Sequence, residues 1–335
     1  MSYWNRFGKK VLRGRFSLTM SILITGGFGF IGGRLAVHLA QAGYQIVLGS
    51  RNDSSPPVWL SQAEVVQIVW DDDRALERCC AGADVVIQAA GMNAQECSTD
   101  PVAALEFNGL ATARLVAAAS RAGVKKFIYL STAHVYASPL VGTITEKTCP
   151  RNLHPYATSH LAGEHAVLSA RQRGKIQGIV LRLSNAFGAP MHKDANCWML
   201  LVNDLCRQAV QTRRLVLQTR GLQQRDFIDM TEVCRVAEHF SVGHSENNPT
   251  GVFNVGAGMS QSVIEMAQLI QLRCVQVLGF KPLLQCVQEG VNEQHPPLTY
   301  QSDNLAALGI NSNGLDNTEE IDSLLRFCQT AFTKT

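Results

Sequence analysis

Tyr156 and His160 stand four residues apart in the segment HPYATSHLAGE, residues 154–164. On a helix that spacing places a phenol and an imidazole on one face. A Tyr in a Tyr-x-x-x-Lys frame passes a proton to or from a substrate oxygen, and the lysine tunes it. Here the fourth residue is His160. A free Tyr titrates near 10, so oxidising an alcohol at neutral pH requires that value to fall. A lysine ammonium about 5 Å from the phenolate contributes roughly 3 kcal/mol at an effective dielectric of 20, worth about two pKa units. His160, with a reference value of about 6.5, is mostly neutral at pH 7 and supplies much less field. It can still hydrogen-bond a ribose hydroxyl or a bridging water. A ketone being reduced needs only a protonated Tyr as its acid, so the missing charge penalises oxidation more than reduction.

A proton-transfer Tyr of this kind works beside a hydride carrier, and the N-terminal ninety residues are built to hold one. In SILITGGFGFIGGRLAVHLAQAGYQIVLGSRN, Ser21 to Thr25 is a short apolar strand. Ile31, Leu35, Ala36, Leu39 and Ala40 then recur at helical spacing, Gly43 ends the helix, and Gln45 to Leu48 is a second strand. Between strand and helix, Gly26 permits the tight turn, Gly29 lets a pyrophosphate approach the backbone, and Gly32 lets helix and sheet pack closely. The helix N-terminus offers unpaired N–H groups to the phosphates.

The end of the second strand chooses the cofactor, because an acid there bonds the 2′-hydroxyl of NAD and an arginine accommodates a 2′-phosphate. Gly49 occupies the expected acid position, followed by Ser50 and Arg51, which selects NADP. The alternative is that Arg51 is an ordinary solvated loop residue and the cofactor is NAD. AEVVQIVWDDD and ADVVIQAAG read as the next two strands. Asp71 is placed to meet the adenine, and Ala89, Ala90 and Gly91 are small enough for a cofactor to lie against the strand end.

Bulk properties limit the alternatives. A chain of 335 residues, 46% hydrophobic, can bury a substantial core, and no apolar run approaches the roughly 20 residues of a membrane span. The net charge of +3 is concentrated at one end: Arg6, Lys9, Lys10, Arg13 and Arg15 lie in residues 1–19 with no acid, leaving about −2 elsewhere. That argues against nucleic acid as a partner of the globular part. The basic head reads as a short disordered extension, or else as a targeting segment. Ten cysteines at irregular spacing, with no C-x-x-C pair, signal no metal site. They read as small buried apolar residues in a reducing, cytoplasmic compartment.

With these pieces in place the chain resembles the extended short-chain dehydrogenase/reductase superfamily, in particular the NAD-dependent epimerase/dehydratase family that acts on nucleotide sugars. The likeness runs from about Met20 to Ile310. It rests on TGGFGFIG at 25–32, AAG at 89–91, Asn108 in FNGLAT, FIYLSTAHVYA at 127–137, PYATSHLAGE at 155–164, LRLSNAFG at 181–188, RDFIDM at 225–230 and GVFNVGAG at 251–258. The resemblance implies an α/β fold, a Rossmann-type doubly wound parallel sheet with a smaller C-terminal substrate-binding lobe. Residues 20–185 and 222–258 would form the dinucleotide-binding domain, and 186–221 and 259–335 the lobe.

The resemblance also implies roles. Thr132 stands where the family has the catalytic Ser or Thr that bonds the substrate hydroxyl or carbonyl, Tyr156 matches the catalytic Tyr, His160 replaces the Lys, and Asn108 is the support residue. Phe30, Ile31 and Ser131 join the cofactor contacts, and Asn185 and Arg225 match contacts to the substrate diphosphate. A second diphosphate Arg is missing from VNEQHPPLTYQSD, so Arg207, Arg213, Arg214 and Arg220 either compensate or form a solvated helix face. Ala133 and His134 stand where the dehydratases carry an acid pair. The expectation is an NADPH-dependent reductase of a keto-sugar nucleotide, with a nucleotide-sugar 4-epimerase next. A non-catalytic NADP-binding sensor or structural subunit is the alternative from another class. A homodimer through the helices carrying Asn108 and Tyr156 is a further possibility by analogy, and no membrane partner is expected.

Overall fold

The computed structural model describes residues 20–242, 251–286, 296–310 and 317–333. The basic head, residues 1–19, lies outside the described residues. Seven parallel strands form the central sheet, in the spatial order Gly251–Val255, Gln177–Leu183, Lys126–Thr132, Val85–Gln88, Ser21–Thr25, Gln45–Ser50, Glu64–Gln67. The winding direction reverses between Ser21–Thr25 and Val85–Gln88, so the sheet is doubly wound, with a crevice at that switch point.

Short apolar runs suit this sheet because parallel strands are covered on both faces. Successive residues separate accordingly. Ile22 and Ile24 pack with Leu35 and Leu39 of the helix Phe30–Gln41 and with Met230 and Val233 of the helix Met230–Val242. Leu23 packs on the opposite face with Leu76, Leu115 and Val167.

A third apolar cluster lies apart from the sheet. Phe187, Leu205, Leu215, Met266 and Leu325 are buried together among the helices Leu201–Thr212, Val263–Leu278 and Thr318–Phe332. One buried carboxylate ties this part to the first helix of the sheet. Glu320 pairs with Arg34 and accepts from the Ala189 N–H at 3.0 Å and the Thr231 hydroxyl at 3.0 Å. The arrangement satisfies both carboxylate oxygens, as a nearly buried charge requires.

The helical stretch Pro101–Arg121 is long enough and on average apolar enough for a membrane span, although Glu106 and Arg114 interrupt its apolar run. Half of its apolar window is buried, and Leu115, Val116, Ala118 and Ala119 belong to the core. Its middle, Leu105–Ala111, widens into a π-helical turn that carries Asn108.

Candidate active site

A cleft of about 1250 Å³ opens over the C-terminal ends of the strands at the switch point. The glycine turn forms its floor. Gly26 has φ +64, and a side chain there would stand 2.8 Å from the Ala90 backbone. At Gly32 a Cβ would collide with the Gly26 carbonyl, so the helix could not pack this close to the turn. Gly29 is the N-cap residue and has no side-chain cap. The first N–H bonded within the helix is that of Gly33, to Gly29 O at 3.0 Å. The N–H groups of Phe30, Ile31 and Gly32 are therefore the free donors of the helix N-terminus. These are the conditions a dinucleotide pyrophosphate needs, and the site fits one.

Not every expected cofactor residue reaches the cleft by its side chain. Gly26, Gly29, Ser50, Arg51, Asp71, Ala89, Ala90 and Gly91 line it. Phe30 is in the core and Ile31 packs against it, so each can offer only its backbone N–H. The Ser131 hydroxyl donates to Glu164 Oε1 at 2.5 Å, which turns it away from the cleft. Gly49 lines the cleft as well, and a Cβ there would be crowded, 3.0 Å from Ile68 Cγ1 and 3.2 Å from Thr25 Cα. The last residue of that strand is Ser50, and its hydroxyl accepts from Asn52 N–H at 3.2 Å.

The chemical residues gather beside Gly91, and Thr132, Tyr156 and His160 are not among the residues that line the cleft itself. Strand Lys126–Thr132 delivers Thr132, and helix Pro155–Gln172 delivers Tyr156 and His160 on successive turns. Burial pushes the Tyr156 phenol above its usual value, against the pull of a hydrogen bond with Thr132. The His160 ring meets the Tyr156 ring edge to face at 4.6 Å. His160 is buried, and burial pulls its pKa down to about 4. Its Nδ1 lies 3.0 Å from the Tyr129 hydroxyl. Its Cε1–Nε2 edge faces Gly91, where a Cβ would lie 3.7 and 3.9 Å from those atoms.

Asn108 holds these parts in register. Its Oδ1 accepts from Met92 N–H at 2.9 Å, beside the cleft, and its Nδ2 donates to Ser159 at 3.0 Å on the helix of Tyr156. The π-helical turn sets this reach, a common use of such turns at functional sites.

Beyond Thr132 the surroundings turn cationic. Arg225 is half-buried, its guanidinium makes no hydrogen bond or ion pair to a described residue, and burial holds it below the usual guanidinium value. His134 is pulled below its usual value by burial and then by Arg225 and His154. Asn185 lies on the strand beside Arg225's, and its Nδ2 donates to Asp226 O at 2.8 Å, leaving its Oδ1 over. The other arginines are placed differently. Arg207 pairs with Asp204 at 2.7 Å over the Trp198 ring, and Arg213 lies over Phe280.

Two supports escaped the sequence reading. Glu164 and Arg182 form a buried ion pair at 2.5 Å behind Ser131, and Arg182 also stacks on Tyr136. Tyr129 reads as an ordinary strand aromatic, yet its hydroxyl ends at His160. A buried carboxylate at Glu164, one turn beyond His160, was the only signal available. Among the described residues no cluster of His, Cys, Asp and Glu could hold a metal ion.

The sequence profile of the NAD dependent epimerase/dehydratase family matches residues 22–256. The chain is 28% identical over 279 residues to dTDP-D-glucose 4,6-dehydratase of Mus musculus, covering 76% of this chain and 74% of that one. It is 28% identical over 264 residues to dTDP-6-deoxy-L-talose 4-dehydrogenase (NAD(P)(+)) of Kitasatospora kifunensis, covering 74% and 77%. It is 27% identical over 269 residues to UDP-glucose 4-epimerase of Rhizobium leguminosarum bv. trifolii, covering 75% and 81%.

Proposed function

The chain belongs to the NAD dependent epimerase/dehydratase family, and from that premise we propose that it reduces a carbonyl group of a nucleotide sugar, with NADPH preferred over NADH. The observation that carries the direction is the state of Tyr156. Its phenol is raised by burial, it bonds Thr132, and the imidazole beside it is neutral. Such a phenol stays protonated at pH 7, where it has a proton to give and cannot readily take one.

A bound nicotinamide dinucleotide supplies the hydride. The glycine turn and the N–H groups of Phe30, Ile31 and Gly32 would hold its phosphates, and Ser50 and Arg51, which line the cleft, would meet the adenosine ribose. Thr132 donates to the carbonyl oxygen and Tyr156 delivers the proton to that oxygen. Arg225 and the free Oδ1 of Asn185 face the nucleotide diphosphate and its neighbouring hydroxyls.

A second reading, nucleotide-sugar 4-epimerase, is favoured by the UDP-glucose 4-epimerase relative. It demands that Tyr156 serve as base as well as acid. A 4,6-dehydratase is supported by the mouse relative, but Ala133 and His134 are not the acid pair that reaction uses. The test is a panel of nucleotide sugars and their 4-keto forms. NADPH consumption with keto-sugars and no epimer from the parent sugars supports reduction. Epimer formation with oxidised cofactor makes the second reading correct. Wild type and Tyr156→Phe equally inactive with every keto-sugar tried, yet both still binding NADP, would leave a binding protein.

A further inference from the structure

We infer that Tyr129 is a positioning residue that fixes His160 as the Nε2–H tautomer, so that the imidazole presents a neutral hydrogen-bond donor to the cleft at Gly91. The inference rests on the proposed reading only for what the donor meets, the ribose of a nicotinamide dinucleotide.

The argument follows the protons of a buried chain. Ala90 N–H points at the Thr25 hydroxyl, 3.5 Å away. Thr25 donates in turn to Gln88 Oε1. The orientation of the Gln88 amide is not open to choice, because its Nε2 donates to the Ala90 carbonyl at 3.2 Å and a carbonyl can only accept. The same Nε2 reaches the Thr112 hydroxyl at 3.4 Å, and the Thr112 hydroxyl bonds the Tyr129 oxygen. Thr25, Gln88, Thr112 and Tyr129 are all at most 1% exposed, so water cannot reverse the direction.

Tyr129 has one proton and two acceptors to choose from. His160 Nδ1 is 3.0 Å away and the Asn108 carbonyl 3.5 Å, which is beyond an ordinary O–H···O bond. The proton goes to Nδ1. A neutral imidazole accepting at Nδ1 carries its own proton on Nε2, and burial keeps the ring neutral down to about pH 4. Gly163 makes the approach possible: a Cβ there would stand 2.7 Å from the Tyr129 oxygen and 2.6 Å from Asn108 O. A glycine inside the helix Pro155–Gln172 costs about 1 kcal/mol relative to alanine, and this contact accounts for its presence. His160 thereby keeps the donor function of an ammonium without its charge.

The test is nitrogen NMR of the full chain labelled at histidine, between pH 5 and 8, without and with NADH. The wild-type His160 signals should be those of the Nε2–H tautomer throughout. In Tyr129→Phe the Nδ1–H tautomer should become populated, and NADH binding should weaken roughly three- to tenfold, the loss of about one neutral hydrogen bond. In a His160→Lys background, Tyr129→Phe should leave NADH affinity unchanged within twofold. A wild-type spectrum of the Nδ1–H tautomer overturns the inference, and so does an unaltered tautomer in Tyr129→Phe. Absence of any NADH or NADPH binding by wild type overturns the functional reading instead, while the tautomer measurement still decides this one.

Discussion

Tyr156 and His160 touch as rings and not as a charge pair: their centroids are 4.6 Å apart at an interplanar angle of 70°. The imidazole nitrogens are turned elsewhere, Nδ1 to Tyr129 and Nε2 toward Gly91. His160 therefore contributes shape and one hydrogen bond to the site but little field. Reactivity at Tyr156 follows from that difference.

Restoring the charge should restore base character. In His160→Lys, a unit charge about 5 Å from the phenolate is worth roughly 3 kcal/mol, so the pH at which alcohol oxidation sets in should fall by about two units. Reduction of a keto-sugar at pH 7 should change far less. Steady-state rates from pH 6 to 10 in both directions measure this. An unmoved oxidation profile would mean that the lysine position does not act on Tyr156.

Burial of a neutral His160 should also appear in stability. Its folded pKa of about 4 lies below the unfolded value of about 6.5. The unfolded state therefore binds more protons between these values, and stability is lost as pH falls from 6.5 toward 4. The loss by pH 4.5 should be about 2 to 3 kcal/mol. In His160→Gln that component should be absent, so urea denaturation of the two proteins at pH 7.5 and pH 4.5 should converge on acidification. Parallel losses in both proteins would contradict a buried neutral imidazole.

Arg225 lacks a carboxylate partner among the described residues and should meet one in the substrate. A nucleoside diphosphate should raise the thermal midpoint of the NADP complex, whereas a free sugar should not. Arg225→Ala should remove most of that shift and leave the ligand-free midpoint within a few degrees of wild type. Equal stabilisation by free sugars would disconnect Arg225 from a diphosphate.

Cofactor choice should respond at positions 49 to 51, which all line the cleft. Arg51→Ala should reduce the preference for NADPH over NADH by about tenfold, the loss of one charge-assisted contact. Ser50→Asp should move the preference further toward NADH. Gly49→Asp should do the same and also lower stability, because its Cβ would crowd Ile68. Fluorescence titration with both reduced cofactors and a denaturant midpoint for each variant check all three.

The sequence by itself determined what local rules can express. Strand, glycine turn, helix and strand are written in consecutive residues, because period and punctuation act over a few positions, and Gly26 and Gly32 make the turn and the close packing that their spacing implies. Thr132, Tyr156 and Asn108 were singled out by their motifs, and the fold brings Thr132 against Tyr156 and Asn108 against the helix of Tyr156. The missing acid at Gly49 was legible, but not the crowding that a side chain would meet there. Only the register of Gly49 against Thr25 and Val66 brings Thr25 and Ile68 beside it.

The tertiary structure decided everything that depends on partners far apart in the chain. Ser131 was withdrawn from the cleft by Glu164, 33 residues on, and Glu164 was held by Arg182. The state of His160 was set by Tyr129 and, behind it, by Thr112, Gln88 and Thr25, which lie on three different elements. No spacing rule reaches such a network. Its direction exists only once burial has excluded water and distance decides between the acceptors that remain.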